Sequence, residues 1–396
     1  LGGSVRAAKK IYSFELDNKT VYRAAESSAP VKSFNVYTAK EGCCGRRNLS
    51  EKAVRTRTVS LKGKIVEKLP QSIARKPYNG ALLSDVKNGK ISMEEFVSML
   101  DNNELEALTR GDYTMNSPLG AQGNAGAFGG VTDSLIKKGV PPVITTDGPS
   151  GIRLNACCSL IPIGTLLACT FDTALVEKVY SAVAREMEIR GSDVLLAPGM
   201  NIHRSPLCGR NFEYYSEDPL LTGKIAAAAV RGIQSTGLSA CPKHFACNSQ
   251  ETNRNKTDSV LSERALREIY LRGFEICVRE AAPKCIMTSY NKVNGVWSHY
   301  NYELCTGILR DEWGYGGCVI TDWWMQYTVS PEFKKIRDNA YRVRSQVDVL
   351  MPGGKRGAKR KPDGTLLESL GKKSGITLGE IQRSAMNVLR LAMNKI

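Results

Sequence analysis

Five places in the chain set chemically able side chains just after short apolar runs. Val143 to Thr146 leads to Asp147. Val194 to Ala197 leads into a loop ending at His203, Arg204 and Arg210. Ala240 to Pro242 leads to Lys243 and His244. Cys285 and Ile286 lead to Met287 and Tyr290, and Val319 to Thr321 leads to Asp322 and Trp323. One such residue alone is an ordinary loop residue, but five in order point to a shared site. The set joins carboxylates, cationic donors, an imidazole and aromatic rings. Donors and acceptors in that density, beside aromatic walls, suit a ring with many hydroxyls and an apolar face, which is a carbohydrate.

The elements that must carry these residues alternate. Strand-like runs are Val143 to Thr146, Val194 to Ala197, Ala240 to Phe245, Cys285 to Ser289, Cys318 to Thr321 and Val347 to Met351. Helical patterns lie between them at Ala174 to Arg190, Leu221 to Gln234, Glu263 to Ala281 and Tyr302 to Glu312. Strand–helix alternation over most of the chain implies a parallel sheet covered by helices. The expected fold class is α/β, a (β/α)8 TIM-like barrel, in which strand exits converge on one face and the site sits there. The barrel is expected over residues 81–396. Residues 1–80 read as a short, basic, irregular segment, with alternating stretches at Lys10 to Leu16 and Ser33 to Tyr37. Ser92 and Glu95 form a capping box for a helix whose apolar face holds Phe96, Met99 and Leu100. Gly120 to Gly130 is glycine-rich with no Lys-Ser/Thr ending and reads as a flexible loop.

Composition narrows the function classes. The chain has 396 residues, 55 Lys plus Arg against 39 Asp plus Glu, and a net charge of +16. Residues 1–76 hold 17 basic and 6 acidic side chains, residues 331–396 hold 15 and 6, and the middle holds 23 and 27. The positive charge therefore sits at the ends, the runs around Lys355 and Lys359 included. No nucleic-acid module accompanies it, so a solvated surface or an acidic partner segment is expected and nucleic-acid binding is not. No window nears ~18 apolar residues, so no membrane span is expected. The chain begins at Leu1 without a leader pattern, which reads as a leader absent or removed, or as part of a longer product. The 12 Cys show no C-x-x-C, and several (Cys241, Cys247, Cys277, Cys285, Cys318) sit in apolar runs as small hydrophobes. A reducing, cytoplasmic compartment is expected. There is no phosphate loop, no dinucleotide fingerprint after a strand and no G-x-S-x-G elbow. With only His203, His244 and His299 present, neither a metal nor a cofactor is expected.

Six motifs now stand in order: Thr146-Asp147-Gly148-Pro149-Ser150-Gly151-Ile152-Arg153; Gly209-Arg210-Asn211-Phe212-Glu213-Tyr214-Tyr215-Ser216-Glu217-Asp218-Pro219; Lys243-His244-Phe245; Gln250-Glu251-Thr252-Asn253-Arg254; Met287-Thr288-Ser289-Tyr290-Asn291; and Thr321-Asp322-Trp323. Together, over roughly residues 90–396, they resemble the barrel domain of glycoside hydrolase family 3, in its β-glucosidase branch. The resemblance implies exo-acting hydrolysis of β-linked glucosides with retention. It implies Asp322 as the nucleophile, and a carboxylate at the end of a buried strand suits that role. It implies Asp147, Arg153, Arg210, Lys243, His244 and Arg254 around the sugar, with Met287, Tyr290 and Trp323 lining the pocket. Cations there are expected to keep Asp322 ionised by lowering its pKa. Glu213, Glu217 and Asp218 are expected to hold the arginine loop in shape.

Retention needs a second carboxyl group ~5–5.5 Å from the first. By resemblance, this branch takes its acid/base Glu from a separate α/β sandwich domain, and no such domain is recognisable here. The loop after Lys243-His244 also lacks the His of the N-acetylglucosaminidase branch. Some family members carry the sandwich first and the barrel last, so residues 1–80 could be a linker or the tail of a preceding sandwich. The expected partners are a small oligosaccharide or β-glucoside and a domain or chain that supplies the acid. Glu251 is the one candidate within the chain. A β-xylosidase, another exo-β-glycosidase and a non-catalytic sugar-binding subunit are the alternatives. Asp147 favours glucose, because an added carboxylate suits a sugar with more hydroxyls.

Overall fold

The computed structural model describes residues 33–41, 47–55, 60–354 and 364–396. The stretch Lys10 to Leu16, the pair Cys43-Cys44 and the basic run from Lys355 to Lys361 lie outside them. Twelve strands form among the described residues: β1 (Ser33–Glu41), β2 (Arg47–Arg55), β3 (Gly126–Gly129), β4 (Pro142–Asp147), β5 (Val194–Leu196), β6 (Ser239–Ala240), β7 (Asp258–Ser259), β8 (Cys285–Met287), β9 (Lys292–Val293), β10 (Val296–Trp297), β11 (Cys318–Trp323) and β12 (Val349–Met351). β1 and β2 pair antiparallel, and β10-β9-β7 form a small separate sheet.

The rest close into a ring. One arc runs β3-β4-β5-β6 and the other β12-β11-β8. Phe245 bridges to Thr288 and joins β6 to β8. At the other seam Arg110 pairs with Leu350, Gly111 N donates to Leu350 O at 2.8 Å, and Asp112 N donates to Ala127 O at 2.7 Å. The segment from Thr109 to Asp112 thus serves as an eighth stave. The barrel is parallel except at β3, which runs antiparallel to β4. This corrects the reading of Gly120 to Gly130 as a flexible loop: its second half is a buried stave. Glycines weaken a strand in isolation, so the pairing is dictated by the barrel and not by local propensity.

Alternate residues of each strand enter different cores, which is why these runs are apolar throughout. Val194 and Leu196 pack on one side of β5 and Leu195 on the other; Cys285 and Met287 oppose Ile286, and Cys318 and Ile320 oppose Val319. Around the ring, helix starts are set by side-chain caps. Asp172 Oδ1 accepts from Leu175 N at 3.0 Å and opens Thr173–Arg190, which Gly191 ends in the left-handed region. Asp218 followed by Pro219 opens Pro219–Gln234. Thr377 and Glu380 form a reciprocal capping box for Leu378–Ala392.

Two expected elements differ. The run from Ala240 to Phe245 pairs regularly only at Ser239–Ala240, then makes single bridges at Lys243 and Phe245. Pro242 lacks the N–H that a continuous ladder would use. The helical stretches Glu263 to Ala281 and Tyr302 to Glu312 both contain π-turns, at Leu266–Tyr270 and Glu303–Glu312. Leu271 N reaches Leu266 O at 2.8 Å and Trp313 N reaches Ile308 O at 3.1 Å, each five residues back. A pattern two turns long does not separate that winding from an α-helix.

Residues 60–80, within the segment read as a linker, join the barrel. Leu61, Leu69 and Ile73 pack against its core. Ile73 and Gln382 exchange hydrogen bonds of 2.8 and 3.0 Å. No helix among the described residues is long and apolar enough to cross a membrane.

Candidate active site

The strand ends place the predicted residues on one face. Asp147 is the last residue of β4. The tight turn after it returns as Arg153 N donates to Asp147 O at 2.9 Å. Gly148 makes that turn possible: its φ is +142°, and a Cβ there would lie 1.6 Å from Gly151 O. Lys243 follows β6, Met287 ends β8, and Asp322 lies near the end of β11.

Lys243 is buried and donates from Nζ to Asp147 Oδ1 at 2.7 Å; Arg153 Nη1 stands 3.3 Å from Asp147 Oδ2. Burial would push the Asp147 carboxyl up, but the charges of Lys243, Arg153 and Arg210 outweigh it and hold the group below the usual carboxylate range. Arg153 itself is largely exposed and forms the rim.

His244 fixes the centre. Arg210 Nη1 lies 3.0 Å from His244 Nε2. A guanidinium only donates, so Nε2 must be the acceptor and the ring proton sits on Nδ1. Nδ1 has Asn201 Oδ1 at 3.3 Å and Tyr214 Oη at 3.2 Å. Burial, with Arg210, Lys243 and Arg254 nearby, pushes the imidazole well below its ordinary pKa. The neutral ring therefore makes no ion pair with Asp322, although Nε2 is 3.6 Å from Asp322 Oδ2.

Asp322 is buried. Its Oδ1 accepts from Trp323 N at 2.7 Å, while Oδ2 is buried without a hydrogen-bond partner among the described residues. Burial raises this carboxyl above the usual range, against the Trp323 N–H and the charges of Arg210, Lys243 and Arg254. The expected net lowering is thus corrected: the cations are present, but desolvation exceeds them. Tyr290 Oη donates to Trp323 O at 2.5 Å, and Trp323 Nε1 donates to Ala125 O at 2.8 Å. Arg254 stacks on the Tyr290 ring at 4.4 Å. Met287 is 1% exposed and packs in the barrel core with Ile320 and Trp323, so it supports the floor with almost no free surface.

Glu251 is fully engaged. Oε2 accepts from Arg254 Nη1 at 2.9 Å, Oε1 accepts from Asn248 Nδ2 at 2.9 Å, and Arg210 Nη1 is 3.9 Å away. Glu213 pairs with Arg210, and Asp218 caps a helix, as a loop-shaping role requires. Glu251, Asn248, Asn201 and Tyr214 form the frame behind the site. Sequence reasoning assigned Asn201, Asn248 and Tyr214 no role. The signal for Tyr214 and Glu251 was their place inside the motifs; Asn201 and Asn248 gave none.

The sequence profile of the Glycosyl hydrolase family 3 N terminal domain matches residues 83–391. The chain belongs to glycosyl hydrolase family 3. Along 99% of its length it is 42% identical to a β-glucosidase of Ruminococcus albus, of which it covers 41%. It is also similar to the crystal structure of a β-glucosidase from Paenibacillus barengoltzii, with a TM-score of 0.83 and 42% identity, covering 99% of this chain and 44% of that one. The structure of β-glucosidase 3B from Thermotoga neapolitana in complex with α-D-glucose matches at a TM-score of 0.69 and 36% identity, over 77% of this chain and 43% of that one. This family 3 chain therefore spans about two fifths of the length of these relatives.

Proposed function

We propose that this chain carries the nucleophile and sugar-binding face of a retaining β-glucosidase. The observation that carries the reading is Asp322 Oδ2, a buried carboxylate oxygen left without a hydrogen-bond partner among the described residues and set among Arg210, Lys243 and Arg254. An oxygen without a hydrogen bond keeps its lone pairs for attack. In the first step Oδ2 bonds to the anomeric carbon as the glycosidic C–O bond breaks. The leaving oxygen takes a proton from a general acid. In the second, water donates its proton to the conjugate base and displaces Asp322, so the configuration is retained. Asp147 and Lys243 pair with the hydroxyls of the bound ring, and Arg153 and Arg254 frame it.

The acid is assigned to a partner domain or chain, an α/β sandwich in this reading. Three carboxylates near Asp322 are already engaged by other groups. Asp147 is held ionised by Lys243, Glu251 accepts from two donors, and Glu213 is paired with Arg210. The length of the relatives beyond this chain leaves room for such a domain. The substrate proposed is a short β-glucoside. A reducing compartment is also proposed, supported by the ten described cysteines, all free; alkylation during denaturing lysis of the producing cell should then label them without prior reduction.

The test is an activated 2-deoxy-2-fluoro-β-glucosyl substrate, read by intact mass. Its leaving group needs little acid. A single covalent adduct that vanishes in Asp322→Ala is the expected result. Saturable glucose binding with no adduct would overturn the catalytic reading and favour a sugar-binding subunit.

A further inference from the structure

His244 is buried beside the nucleophile, with Nε2 3.6 Å from Asp322 Oδ2, yet no step of the proposed reaction uses its proton. That gap is about half an ångström longer than a hydrogen bond. With a proton on Nε2, a small shift of either side chain would make a charge-assisted bond and occupy Oδ2. The position of one ring proton therefore decides whether Oδ2 is free.

Asn201, in the loop after β5, bears on that position. Its Oδ1 accepts from His244 N at 2.9 Å, and its Nδ2 donates to His244 O at 2.9 Å. A backbone N–H only donates and a carbonyl only accepts, so the side-chain amide cannot turn over without losing both bonds. Oδ1, an acceptor, is thereby held 3.3 Å from His244 Nδ1. Tyr214 Oη lies 3.2 Å from the same nitrogen and accepts from Asn248 Nδ2. At the other end of the ring Arg210 Nη1, a donor, faces Nε2 at 3.0 Å. Both ends thus demand the same tautomer. Asn201 and His244 are each 2% exposed, so bulk water does not compete for these bonds. Met200 N donates to Lys243 O at 2.8 Å and Lys243 N to Pro198 O at 2.9 Å, so the place of Asn201 is set by the barrel itself.

We propose that Asn201 is a positioning residue for the reaction: it holds the His244 proton on Nδ1 and so keeps Asp322 Oδ2 free to attack. It acts through the imidazole, one ring away from the nucleophile. The protective role rests on Asp322 as the nucleophile, whereas the tautomer does not.

The test uses the full chain with nitrogen-15 in its imidazoles, whose long-range proton–nitrogen pattern distinguishes the two tautomers. The chain has three histidines, and the signal missing from His244→Gln is that of His244. At neutral pH the parent should show His244 protonated on Nδ1. In Asn201→Leu that pattern should give way to the Nε2 tautomer. The maximal rate of adduct formation with the 2-deoxy-2-fluoro-β-glucosyl substrate should then fall about 10–100-fold, while the concentration giving half that rate stays within about twofold. Asn201→Ser, a milder change that also removes the amide, carries the same expectation and serves where Asn201→Leu does not fold. A parent protonated on Nε2 would overturn the proposal, as would a folded variant in which either the tautomer or the rate stays unchanged. A parent that shows the Nδ1 tautomer but forms no adduct would overturn the nucleophile assignment, and the protective role with it.

Discussion

Asp322 bears its charge where the fold favours a neutral acid. Because its pKa in the folded protein is raised above the unfolded value of ~3.9, the folded state holds the extra proton, and stability falls as pH rises through the folded pKa. Asp322→Asn removes that cost. Its melting temperature should exceed that of the parent at pH 7, and the difference should shrink to nothing as the pH drops below about 4. The same raised pKa places the acid limb of adduct formation above the usual carboxylate range. Arg254→Met takes away one stabilising charge, so the limb should move to higher pH in a pH–rate profile of adduct formation. Glu251→Gln keeps the shape but loosens Arg254 and Arg210, and the adduct should form about 10–100-fold more slowly, with little change in melting temperature. Asp147, Arg210, Lys243 and Asp322 were legible in the sequence because each follows an apolar run, while Arg153 and Arg254 were legible only through the family motifs. Their electrostatic balance was not, since desolvation depends on what covers Asp322. Nor was the tautomer of His244, which is set by Arg210 and Asn201, 34 and 43 residues away.

At the scale of elements, the turn at Gly148 is the least replaceable. Gly148→Ala meets the Gly151 carbonyl, so the turn must open and Asp147 must leave Lys243. Adduct formation should fall at least tenfold, and stability by about 1–3 kcal/mol in denaturant titration. On the far side of the barrel, Arg344 donates to both oxygens of buried Glu380 at 2.7 and 2.8 Å. Arg344→Met strands that carboxylate, which should cost about 3–5 kcal/mol in the same measurement. The helices Thr173–Arg190 and Pro219–Gln234 were legible to within two residues from their apolar pattern, and Ser92 caps Met93–Ser98 as read, because such signals are local. β3 was not, because Gly126 to Gly129 gains its partner only when β4 and the Thr109 to Asp112 segment are already in place. The π-turns escaped for the complementary reason: their apolar spacing is helical, and only tertiary packing sets the winding.

For the molecule as a whole, the barrel closes among the described residues, while the proton donor is proposed to lie outside the groups that line its site. A good leaving group should therefore be released once by this chain alone, whereas an unactivated disaccharide should survive. Azide, which needs no general base, should discharge the intermediate of a dinitrophenyl β-glucoside as β-glucosyl azide, detectable by mass spectrometry. Adding a sandwich domain of the kind proposed to carry the acid should make that rescue unnecessary.

The indole of Trp323 holds Ala125 O across 198 residues of chain, and the neighbouring seam ties Gly111 to Leu350. The strand that carries the nucleophile is thus fastened to the residue before β3 and, through Trp324 N and Met351 O at 3.2 Å, to β12, the last stave. During refolding, partly formed arcs can hold secondary structure and bury much of the core, yet Asp322 takes up its reactive setting only when the circle joins. The rate at which refolding molecules become competent for covalent labelling is therefore a clock for the last act of assembly, slower than any signal from the helices.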